Sequence, residues 1–267
     1  MNYDFVGLDN LGLSLAQSFS LYDDKNMVKD PNTKTVTPSI YDNSCYTTII
    51  YERKVICPVC NTTFITPTLR GTKVRRLESD IDLKPNFIEL ESICYEVVTC
   101  TTCGYSSMMS TFEKLNKLKI TAIKENISNH INNNLENIPL NLTIEDAIIK
   151  FKLALYCCVH KNSLNSERAF TALKIAWLYR SLKDNENEAY FLNQAYIGFS
   201  KAYIEENLPF MNMDYYIATY MVSILALKVG ELDVARKYLS TLVIDKNVPP
   251  KLKLKIELAT QQLRSFK

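Results

Sequence analysis

Cys57-Pro58-Val59-Cys60 and Cys100-Thr101-Thr102-Cys103-Gly104 decide how the first half of this chain folds, because each pair aims two sulfurs at one point. Two residues between cysteines let a tight turn present both thiolates to one metal ion, and two such turns complete a tetrahedron. The first pair follows the β-prone run Thr47 to Val55 and the second follows Ile93 to Thr99, which is the arrangement of two facing zinc-ribbon knuckles. Gly104 supplies a free backbone after the second knuckle, and Asn61 tolerates a left-handed conformation after the first. We read one structural Zn2+ on Cys57, Cys60, Cys100 and Cys103, with rubredoxin-like iron or redox-active dithiols as alternatives. Four thiolates leave no open coordination position, which argues against a hydrolytic metal.

Eight cysteines in 267 residues do not read as a secreted disulfide framework, since the start of the chain carries Asp4 and Asp9 where an export signal needs positive charge. A reduced, cytoplasmic protein is expected. Cys94 reads as a buried residue on a strand, Cys157 and Cys158 as small core residues of one helix, and Cys45 receives no role. The longest apolar run, Tyr215 to Leu227, falls short of the roughly 20 residues a membrane helix needs, so no membrane insertion is expected. With Lys plus Arg at 31 against Asp plus Glu at 29, no global field draws the protein to nucleic acid.

Outward from the cysteine pairs, the expected class is α+β, mostly α: a small β-rich ribbon followed by a tetratricopeptide-like helical array. Residues 1–50 read as mostly irregular, residues 51–110 as the ribbon, 111–140 as a connecting helix and 141–267 as the array. In the first segment, Leu11, Leu15, Phe19 and Tyr22 share one face of a possible short helix. Thr143 with Asp146 caps the start of the array, Gly230 separates two helices, and Pro250 fits a first helical turn. Helices are expected near 143–159, 166–182, 184–206, 213–229, 231–244 and 250–265. Ile175, Ala176, Tyr179, Leu192 and Ala195 sit where a tetratricopeptide repeat packs, and Val222, Ser223, Gly230, Ala235 and Leu239 give a weaker second copy.

Two surfaces are candidates for binding. Tyr179, Tyr196, Tyr203, Tyr216 and Tyr220 offer themselves as groove residues for an unidentified protein or peptide, with core packing as the alternative. Arg70, Lys73, Arg75 and Arg76 form a basic cluster between the knuckles that suits nucleic acid or an acidic partner, although Glu78, Asp80 and Asp82 follow directly and point to internal pairing. The chain has no Gly-rich phosphate loop, and neither His130 nor His160 lies near a recognisable nucleophile, so no catalytic activity is expected.

Cys57-Pro58-Val59-Cys60, the Arg70, Lys73, Arg75, Asp80 and Asp82 series, Tyr95-Glu96-Val97, Cys100-Thr101-Thr102-Cys103-Gly104-Tyr105 and Ala176-Trp177-Leu178-Tyr179-Arg180 together resemble the bacterial domain of unknown function 2225 family. The resemblance spans roughly residues 50 to 267 and implies a zinc ribbon joined to tetratricopeptide-like helices. It carries no activity with it. The chain departs from the family pattern in lacking a glycine after the first knuckle and in placing Thr101 where proline is common. The expectation for function is therefore a zinc-binding adaptor or scaffold, and metal removal is expected to unfold the ribbon while leaving most helical structure intact.

Overall fold

The β-prone runs before each cysteine pair form the first strands of two antiparallel hairpins, each with a C-x-x-C turn at its tip. In a computed structural model, which describes residues 5, 7–13, 21–22, 46–131, 135 and 139–266, a single helical turn, α1 (Tyr46–Ile49), leads into β1 (Ile50–Ile56). That strand pairs with β2 (Thr63–Leu69), Ile56 standing opposite Thr63. The second hairpin is shorter, with β3 (Val97–Thr99) against β4 (Ser106–Met108) and Thr99 opposite Ser106. Cys94 departs from the strand expected for it: Ser92–Tyr95 form a 3-10 turn, and the thiol is buried beneath it.

The connection also differs from expectation. It is a two-turn helix, α2 (Lys117–Ile123), capped by the Asn116 side chain and continued by a π turn over Lys124–Ser128. The six helices of the array then follow the capping signals closely. Thr143 and Asp146 form a reciprocal capping box at α3 (Ile144–His160). Next come α4 (Asn165–Ser181) and α5 (Asn185–Glu205), the latter capped by Asp184. Helix α6 (Tyr215–Val229) begins at the Asp214 cap and ends on left-handed Gly230, and α7 (Leu232–Ile244) and α8 (Pro250–Ser265) complete the stack. Each helix of the array packs on the next in the chain.

The ribbon and the helices share one continuous core. Strands β3 and β4 lie on α3, where the Ser106 N–H donates to Cys157 Sγ at 3.3 Å. Lys161 at the end of α3 donates to Ser107 and pairs with Glu167 at 2.7 Å, so a buried ammonium ties the ribbon to α3 and α4. Cys157 and Cys158 are both buried core residues, as their placement in an apolar helix implies.

The first segment holds more core than its polar average indicates. Phe5, Leu8, Leu11, Leu13, Leu21 and Tyr22 are buried, Phe5 packs edge-on against Tyr156 at 5.1 Å, and Tyr22 lies against Gly198 so closely that no side chain would fit there. Of the expected Leu11 to Tyr22 stripe, Leu15 and Phe19 lie outside the described residues, as does Cys45.

Candidate metal centre

Each cysteine turn is closed by the same backbone bonds. The Asn61 N–H donates to the Cys57 carbonyl and the Cys57 N–H to Thr62; the Gly104 N–H donates to the Cys100 carbonyl and the Cys100 N–H to Tyr105. Both turns end in a left-handed residue, Asn61 at φ 60° and Gly104 at φ 72°, which lets the chain reverse while both sulfurs face inward. The two knuckles are thus copies of one device on two hairpins.

Cys57 Sγ lies 3.6 Å from Cys103 Sγ and Cys60 Sγ 3.6 Å from Cys100 Sγ, and all four sulfurs fall within 4.8 Å of one another. Sulfurs bound at about 2.3 Å to a tetrahedral ion stand roughly 3.8 Å apart, whereas a disulfide would bring a pair to about 2.0 Å. The residues therefore fit a tetrathiolate metal ion, and the seven described cysteines are free. This is the one cluster of metal-ligand type among the described residues. Crowding separates the thiols electrically. Hydrogen bonds from Cys103 and Cys57 hold the Cys100 thiol down to about 2, while the neighbouring Cys100 pushes Cys57 up to about 12 and Cys103 up as well. A dication removes that conflict by neutralising all four sulfurs together.

Gly104 also permits a close approach, since a Cβ there would lie 2.1 Å from Ile131 Cδ1. Gly104→Ala combines that clash with a left-handed backbone that costs a side chain about 1–2 kcal/mol. Gly230→Ala, also at positive φ but facing open space, carries the backbone cost alone. Thermal melts of the metal-loaded variants should show the larger fall for Gly104→Ala, and equal falls would contradict the close packing against Ile131.

Between the knuckles, the chain leaves the ribbon and lies against α4, α6 and α8 of the array. Its Asp80-Ile81-Asp82 turn is gripped from three sides. Arg180 on α4 donates to Asp80 at 2.8 Å and to both oxygens of Asp82, Trp177 Nε1–H donates to Asp82 at 3.1 Å, and Lys228 on α6 stands 3.7 Å away. Tyr220 O–H donates to the Ile81 carbonyl at 2.6 Å, and Lys255 on α8 donates to the Ser79 carbonyl. Farther along, Glu91 accepts from Ser181 and pairs with Lys84, and Glu96 pairs with Lys174. Asp82 is fully buried. Burial alone would raise its carboxyl, but the hydrogen bonds and charge of Arg180, the charge of Lys228 and the Trp177 N–H together hold it below the usual carboxylate range.

A family described as "uncharacterized protein conserved in bacteria (DUF2225)" matches residues 50–265. The chain belongs to that family. The match takes in both cysteine pairs, the acidic turn and the Trp177-to-Arg180 segment that grips it, and it begins after the N-terminal segment. No curated protein and no solved structure matches the chain.

This clamp corrects two sequence expectations. Asp80 and Asp82 do not neutralise the basic cluster beside them; Arg75 pairs with Glu89 at 2.7 Å, Arg70 stacks over the Tyr51 ring at 4.8 Å, and Lys73 and Arg76 are exposed. Nor do all five tyrosines face a groove. Tyr220 is fully buried under the insert and Tyr179 is stacked on Phe191, whereas Tyr196, Tyr203 and Tyr216 are half-buried, the last two bonded to Thr219 and Asp245. The family resemblance held a signal for the clamp, because Asp80, Asp82, Trp177 and Arg180 were all among the residues that carried it.

Proposed function

We propose that this DUF2225 member is an intracellular adaptor whose helical array binds another protein and whose ribbon carries one structural Zn2+. The observation that carries this reading is the closed thiol quartet: four protein sulfurs fill the tetrahedron, so the ion holds structure and leaves no position for a substrate. The ion then fixes both ends of the insert that the array grips through Asp82. Stacked helical hairpins of tetratricopeptide type offer extended surfaces for peptides or helices, which is the role proposed for this array. A cytoplasmic location is part of this reading, because thiols that hold a metal suit a reducing compartment; no helix among the described residues is long and apolar enough to cross a membrane. No catalytic role is proposed.

Elemental analysis of purified protein should give one zinc per chain in a colourless solution; visible absorbance from iron would overturn the metal assignment. Cross-linking capture in a bacterial host should recover a specific partner with zinc-loaded wild-type bait. Failure of zinc-loaded wild-type bait to recover any specific protein would count against the adaptor. A second reading, nucleic-acid binding, is favoured only by the exposed Lys73 and Arg76, which make no ion pair among the described residues. Salt-sensitive binding of RNA or DNA, abolished when Arg70, Lys73, Arg75 and Arg76 become alanine, would support it.

A further inference from the structure

Helices α7 and α8 do not close completely on each other. Between them lies an open cleft of about 420 Å³ with Leu263 at its floor and Val243, Ile244 and Phe266 on its walls. Those three walls are 58%, 79% and 55% exposed, a concentration of bare apolar surface that a solvated helix face does not need. Arg236 and Arg264 stand at the rim, and no carboxylate lines the cleft. Arg236 makes an exposed i,i+3 pair with Asp233, a bond weak enough in water to be exchanged for another carboxylate. From 232 to 266 the chain carries seven Lys or Arg against three Asp or Glu, although the whole protein is nearly neutral.

We infer that this cleft is a docking site for a partner segment with two or more apolar anchors flanked by Asp or Glu. The inference rests on the adaptor reading and gives that partner a place and a chemistry. An apolar floor gives nothing to a phosphate backbone but accepts aliphatic or aromatic side chains, while the basic rim selects acidic flanks and steers their approach. The insert already holds Arg180 of α4, Tyr220 of α6 and Lys255 of α8, whereas the α7–α8 cleft is open.

Selection of random 12-residue peptides on full-length, zinc-loaded protein tests this. Enriched peptides should combine apolar anchors with Asp or Glu, and a synthesised winner should lose roughly tenfold or more in affinity on Val243→Asp and about threefold or more on Arg264→Glu. Zinc content and melting temperature should not change, because both positions are exposed. Enriched peptides that lack acidic residues, or that bind both variants like wild type, would overturn the inference. So would a wild-type dimer that Val243→Asp dissociates, or oligonucleotide binding lost on Arg264→Glu with no peptide enriched. A cellular partner captured equally by wild type and Val243→Asp would remove this site and leave the adaptor standing, whereas no captured partner at all would remove the adaptor itself.

Discussion

Asp82→Ala should destabilise the metal-loaded protein by about 3–5 kcal/mol, the cost of deleting one member of a buried, hydrogen-bonded ion cluster. The carboxylate is fully buried and accepts from Arg180 and Trp177, so its loss leaves a partly buried guanidinium short of a partner and an indole N–H without an acceptor. Asp82→Asn keeps the shape and removes only the charge; Arg180 retains Asp80 and Glu188, so a smaller loss is expected. Urea titration at neutral pH reads both. Two losses below about 1 kcal/mol would show that the clamp is a surface arrangement of the ordinary weak kind.

The pH dependence has a definite sign. Because the Asp82 carboxyl is held below its ordinary value in the fold, its contribution is fully present above the unfolded value of about 3.9 and is lost as pH falls through the depressed one. The stability gap between wild type and Asp82→Asn should therefore be constant above about pH 5 and close only in stronger acid. A gap that closes near pH 6 or 7 would mean another group controls it.

Local chemistry was readable in the sequence and long-range chemistry was not. The two C-x-x-C turns, left-handed Asn61, the Thr143 capping box, Gly230 and Pro250 each act within a few residues, so spacing alone locates them. The Asp82–Arg180 contact spans 98 residues, and charge proximity along the chain pointed instead to Arg75 and Arg76. What decided the outcome was the course of the insert, which carries Asp80 and Asp82 away from the basic cluster and onto α4. Tyr179 and Tyr220 failed as groove residues for the same reason, since the insert and the neighbouring helices cover them. Among the described residues of the first segment, Phe5, Leu8, Leu11, Leu13, Leu21 and Tyr22 take core positions, a pattern that average composition erases.

Metal removal should separate two signals that normally report folding together. The chain has a single tryptophan, Trp177, whose indole is bonded to Asp82 and lies 4.9 Å beneath the Lys174 ammonium. Without a dication the four thiols cannot all ionise at such spacing, so nothing offsets the cost of holding two hairpin tips together. Release of the tips frees both ends of the insert, and Asp82 then leaves Trp177 to water. The helices keep their own caps and their packing on one another, so most of the ellipticity at 222 nm should survive chelation while Trp177 emission shifts to the red. Melting temperature should also fall, because β3 and β4 are part of the core of α3. Unchanged emission after verified metal loss would show that Arg180 holds the insert without the staple. Ellipticity collapsing in step with the emission would place the ion at the root of the whole fold, and the shared core between Cys157 and Ser106 is the route by which that would happen.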